Sequence, residues 1–63
     1  MKVRVLKVLS GHQTKEIDTL EMSPFELPLH NDVLMLHGNV YFVRHIVRHY
    51  LAGSFERADI MVQ

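Results

Sequence analysis

Five histidines stand in a chain of 63 residues, at His12, His30, His37, His45 and His49. Only His45 and His49 have a spacing with chemical meaning. Four apart on a helix, they would face one side and share a metal ion. On a strand the same two lie ~13 Å apart along one face and cannot chelate together. No cysteine accompanies them, and no glutamate follows His45 in the metalloprotease arrangement. The histidines are therefore read as surface or half-buried groups, with no metal ligand and no cofactor assigned. Ser10, Ser23 and Ser54 lack the Gly-x-Ser-x-Gly elbow of a hydrolase. No two carboxylates are set apart by apolar surroundings as an acid–base pair. Gly11, Gly38 and Gly53 are scattered, so no loop cradles phosphate. A 7.4 kDa chain is also too short to wall off a pocket of several hundred Å³ and keep a core. No catalytic residue is expected, and the protein is read as not an enzyme.

Binding chemistry is better represented. Arg44 and Arg48 share a face whether their segment is strand or helix, and Tyr50 follows them. Arginine with tyrosine can hold phosphate and stack on a base, and the same residues are frequent anchors of protein interfaces. The plainer reading is a solvated face, or ion pairs to Glu16, Asp18 or Glu21. Lys2 and Arg4 would extend a cationic strip for a nucleic acid. The formal net charge is zero, however, so long-range attraction is missing and such binding would be weak and salt-sensitive. Met35, Val40 and Phe42, with Tyr41 and Met61, form an apolar excess that serves as core, as an interface, or as both.

These side chains must be positioned by one small domain over residues 1–63. Hydrophobic residues make up 48% of the chain, too many for a solvated coil. Residues 2–9 and 14–22 read as two strands joined by a turn at Ser10-Gly11-His12-Gln13, although Ile17 and Leu20 also fit a helical spacing. The first carries Lys2, Arg4 and Lys7 and the second Glu16, Asp18 and Glu21, which suits pairing between neighbours. Residues 23–28 hold two prolines and read as an ordered connector pinned by Phe25 and Leu27 in the core. Residues 32–37 and 40–43 read as a hairpin linked by Gly38-Asn39, placing Leu36 opposite Tyr41 and Met35 opposite Phe42. One face would hold Leu34, Leu36, Tyr41 and Val43, the other Val33, Met35, Val40 and Phe42, and both are apolar. Residues 43–51 have a helical period, but residues 40–50 are rich in Val, Ile, Tyr and Phe, and strand is favoured. Residues 56–62 look like a last strand able to pair back on them.

From Leu27-Pro28 to Val62 these segments form a pattern. Asn31-Asp32-Val33 opens a short strand, a Gly38 turn follows, then Tyr41-x-Val43-x-x-Ile46, a turn at Gly53 and a closing Ile60-x-Val62. This resembles small phage and bacterial proteins with an SH3-like β-barrel. The resemblance implies a fold and a phage origin, and no activity. The expected architecture is all-β, a small SH3-like barrel of about five antiparallel strands, with α+β as the alternative should a helical turn lie between strands.

The expected function is a non-enzymatic interaction module, a phage-type accessory protein that binds a protein partner. Met35, Val40, Phe42, Arg44, Arg48 and Tyr50 are the expected interface, and a homodimer is one form it would take. A small nucleic-acid-binding barrel is the alternative. No membrane contact is expected, since nothing approaches the ~20 apolar residues of a span, and Met1 to Ser10 lack the apolar run of a signal peptide. With no cysteine present, a cytoplasmic setting is the natural reading, the host cytoplasm for a phage protein.

Overall fold

The computed structural model describes residues 1–63. Its five strands are β1 (Lys2–Val8), β2 (Thr14–Glu21), β3 (Val33–Leu36), β4 (Asn39–Leu51) and β5 (Ser54–Val62), with one 3-10 turn at Pro24–Glu26. They form one sheet in the order β2-β1-β5-β4-β3, curled into a half-barrel. The all-β, five-strand expectation holds, and the curl is compatible with the SH3-like shape. One pairing departs from a wholly antiparallel arrangement, because β1 and β5 run parallel, with Val3 beside Ala58 and Val5 beside Ile60.

The core is built by alternation on the three inner strands. Val3 and Val5 of β1, Ala58, Ile60 and Val62 of β5, and Val43 of β4 have no exposed surface. Period-two spacing sends all of them to the concave side. Ile17, Leu20, Leu27, Leu34, Leu36, Tyr41 and Ile46 pack around them, half-buried. The basic first segment and the acidic second one are neighbours, as their charges suggested, with Lys2 opposite Glu21.

Two bulges explain why two strands carry a helical period. Val5 pairs with Asp18 and Leu6 with Glu16, so Ile17 is an extra residue in β2. Val43 pairs with Val62 and His45 with Met61, so Arg44 is an extra residue in β4. An inserted residue resets the alternation. Ile17 and Leu20 therefore both reach the core at a spacing of three, and so do Val43 and Ile46. The 43–51 segment is strand throughout, joined without a break to the preceding residues of β4.

The hairpin turn between β3 and β4 is His37-Gly38, not Gly38-Asn39. Its φ angles, 53° and 79°, are both positive, as in a type I′ turn. Leu36 consequently pairs with Asn39, Met35 with Val40, Leu34 with Tyr41 and Val33 with Phe42. The slip of two residues from the expected register leaves the two faces unchanged, because side chains repeat every second residue. Phe25 is also a correction: it is 97% exposed, while Leu27 packs on the core and Pro28 is buried. Pro24 starts the 3-10 turn and Ser23 before it is extended. Phe25 is the second residue of that turn and faces solvent.

Candidate binding surfaces on the β3–β4 hairpin

Strand β4 carries two adjoining features. The first is apolar. Val33 and Phe42 are cross-strand partners, as are Met35 and Val40, and all four point away from the core. They are between 52% and 72% exposed. The opposite face, Leu34, Leu36, Tyr41 and Val43, turns inward. Residues of both faces are apolar because the hairpin has a core side and an outer side equally poor in charge. Even-numbered residues of β3 bond to β4, as Asp32 does in accepting the Val43 N–H at 2.8 Å. Antiparallel geometry then directs the backbone groups of Val33 and Met35 to the open edge of the sheet. β3 has no second neighbour.

The second feature is cationic. An open groove of about 390 Å³ lies between the loop before β3 and strand β4, lined by Leu29, His30, Arg44, His45, Ile46 and Arg48. The loop is held by its own polar groups. Asp32 accepts the Leu29 N–H at 2.7 Å, and its own N–H donates to the Leu29 carbonyl at 3.0 Å. Asn31, at a φ of 73°, donates to the Val43 carbonyl at 2.9 Å. Asparagine tolerates that left-handed conformation better than most residues. These bonds set His30 over β4, where its ring stacks on His45 with centroids 6.2 Å apart. Neither Arg44 nor Arg48 forms an ion pair or a side-chain hydrogen bond with the rest of the chain. Glu16, Asp18 and Glu21, the acids considered for them, have other partners: Thr19, His37 and the amino terminus. The bulge at Arg44 turns that residue toward more than one depression. A larger one beside the groove, of about 670 Å³, is lined by Asn31, Phe42, Arg44 and Gln63. Phe42 shares this second depression with Arg44, and of its lining residues only Arg44 also lines the groove.

The structure divides the six expected interface residues. Met35, Val40 and Phe42 fall in the apolar face. Arg44 and Arg48 fall in the groove. Tyr50 stands at the far end of β4, tilted against Phe55 with ring centroids 5.4 Å apart. Of the wider cationic strip, Arg4 is engaged elsewhere. Its Nε and a terminal nitrogen donate to the two oxygens of Asp59, each at 2.9 Å. His49 Nε2 lies 2.9 Å from Asp59 Oδ2 as well. His45 and His49 are thus parted, one on His30 and one on Asp59. No three metal-binding side chains stand together.

Asp59 is the polar residue that sequence reasoning missed. It lies on the outer face of β5 yet is only 5% exposed. The Arg4 hydrogen bonds hold its carboxyl below the ordinary value; burial opposes this, and His49 adds to the lowering. Arg4 is raised in turn, chiefly by the same bonds. The sequence signal was faint: Asp59 is a lone acid between Ala58 and Ile60 in an otherwise apolar strand end.

No family model, no curated protein and no solved structure matches this chain.

Proposed function

We propose that the protein is a non-enzymatic protein-interaction module, a small phage-type accessory protein acting in the host cytoplasm. The observation that carries this reading is the outer face of the hairpin. Val33, Met35, Val40 and Phe42 form two cross-strand apolar pairs open to water. Contiguous apolar faces of this kind are characteristic of interaction sites. The edges of the sheet differ in the same sense. β2 is an edge strand with Lys15, Glu16, Asp18 and Glu21 and a bulge, the usual protections against unwanted pairing. β3 is an edge strand of Val, Leu, Met and Leu with neither. A partner can therefore add a strand to β3 and cover the apolar side chains beside it. The whole chain exposes 4569 Å², against roughly 4,200 Å² for a compact monomer of its mass. The phage origin rests on the Leu27–Val62 pattern alone.

The test pairs the wild type with Met35→Lys and Phe42→Ser as baits against lysate of the native host. Circular dichroism first establishes that both variants are folded. A protein retained by the wild type and lost from both variants supports the reading. Equal retention by all three, or none, removes it. Sedimentation at high micromolar concentration asks whether the partner is a second copy, and a dimer must dissociate in the same two variants.

A second reading, a small nucleic-acid-binding barrel, draws on the convergence of Arg44 and Arg48 on one groove. Titration with single- and double-stranded DNA and RNA at low salt tests it. Failure to bind at micromolar concentration removes it.

A further inference from the structure

The geometry points to the Arg44–Arg48 groove as a binding site for a single phosphate group, free or carried as a monoester, independent of what covers the hairpin face. The chain has other cations without a carboxylate partner, including Lys2, Lys7, Lys15 and Arg57. Arg44 and Arg48 differ from these in lining one concavity. Both guanidinium-bearing residues line this one concavity, and no acid in its lining offsets their charge. A bound oxyanion offsets that charge, and arginine side chains, much longer than those of histidine, reach one anion from two points of β4 and donate to it from both forks. His30 and His45 add ring N–H donors on the loop side, and Leu29 and Ile46 supply an apolar floor. Arginine suits the tetrahedral array of phosphate oxygens because its donors lie in a fixed plane.

The layout favours one phosphate over a polymer of them. Backbone binding to a nucleic acid needs cations that track successive phosphates. Here only Arg44 and Arg48 line the groove, Arg4 is tied to Asp59 by two hydrogen bonds, and the molecule has no net positive charge. The groove of about 390 Å³ is large enough for a phosphate group with the atoms that carry it. Phosphate free in solution and phosphate on a serine side chain present the same terminal oxygens, so the site is assigned to that shared chemistry.

The experiment is a titration of the full chain at low ionic strength, followed by nuclear magnetic resonance of the arginine Nε–H and histidine ring signals. The probes are inorganic phosphate, phosphoserine and a short single-stranded oligonucleotide, with sodium chloride at matched ionic strength as control. The site predicts saturable shifts at Arg44, Arg48, His30 and His45 with phosphate and none with chloride. Arg44→Gln and Arg48→Gln should each weaken binding about fivefold or more, while Arg57→Gln leaves it unchanged. Phosphoserine binding tighter than inorganic phosphate supports the site and assigns its source to a phosphorylated protein segment. Equal binding of the two supports the site with a free phosphate compound as its source. Shifts that fail to saturate, that chloride reproduces, or that Arg57→Gln diminishes equally would overturn the proposal. An oligonucleotide whose affinity rises with its length and exceeds that of phosphoserine would overturn it in favour of nucleic acid. Loss of partner capture by Met35→Lys, a residue outside the groove lining, with phosphate binding intact separates this site from the hairpin reading.

Discussion

Asp59 sits on the outer surface of the sheet and is nevertheless buried, because two neighbouring strands cover it. Arg4 comes from β1 at the same level of the parallel ladder, and His49 comes from β4. A carboxylate so placed needs its partners, since a buried charge without them costs far more than a surface pair yields. Replacing Asp59 with alanine leaves Arg4 and His49 without an acceptor and should cost about 1–3 kcal/mol, read as a fall in thermal midpoint. The pH response follows from the depressed carboxyl. Its folded value lies below the ordinary one near 3.8, so the stabilisation is complete above that pH. It is lost as pH falls below 3.8 toward the folded value, because the unfolded chain takes up the proton first. Thermal melts through this acid range should fall more steeply for the wild type than for Asp59→Asn. Equal slopes would show that other carboxylates dominate acid unfolding. Sequence reasoning grouped Arg4 with a nucleic-acid strip because its partner is 55 residues away in the chain. Pairing across that distance is set by strand order, which no local pattern reveals.

At the scale of elements, the turns and bulges decide what local patterns left ambiguous. Both tight hairpin turns have positive φ at two successive residues: His37-Gly38 and Ala52-Gly53, the latter at 51° and 80°. Alanine has no side-chain compensation for that conformation, which costs a residue with a Cβ roughly 1–2 kcal/mol. Ala52→Asn creates the Asn-Gly pair preferred in type I′ turns and should stabilise the protein by about 0.5–1 kcal/mol, measured by thermal or urea unfolding. A loss of stability would show that the turn is not type I′ in solution. The existence of the β3–β4 hairpin was legible from two apolar runs around a glycine. Its register was not, because His37 in the left-handed region is an uncommon choice and Asn39 looked like the better turn residue. The helical period of residues 43–51, which competed with the strand reading that the structure bears out, has a definite cause. A bulge at Arg44 gives a strand the spacing of three between Val43 and Ile46 that a helix would show. The same bulge places Arg44 on the groove, so the feature that obscured the element also creates the candidate site.

The whole molecule is a sheet with two different margins. The central strands β1 and β5 supply five of the six core side chains, and β4 adds Val43. Truncation there should be severe: Ile60→Ala is expected to cost about 2–5 kcal/mol, a large share of the stability of so small a domain. Amide exchange should be slowest on β1 and β5 and fastest on β3, which pairs on one side only. Protection of β3 equal to that of β5 in the isolated chain would mean that its edge is already covered by a second copy. Across the open side of the half-barrel, β2 and β3 are not paired, and His37 in the hairpin turn reaches Asp18 of β2 at 2.9 Å. The amino-acid sequence by itself determined the class of this protein. Alternating Val, Ile and Leu, β-branched content and glycine turns specify strands, and the hairpin residues specify two apolar faces, because those properties depend on neighbours in the chain. Tertiary structure alone decided which face meets water, that β1 lies parallel to β5, that Arg4 belongs to Asp59, and that Arg44 and Arg48 are left unpaired beside two histidines. Each of those depends on the order of strands in the sheet, and strand order is settled by the joint burial of Val3, Val5, Val43 and Ile60 rather than by any one segment.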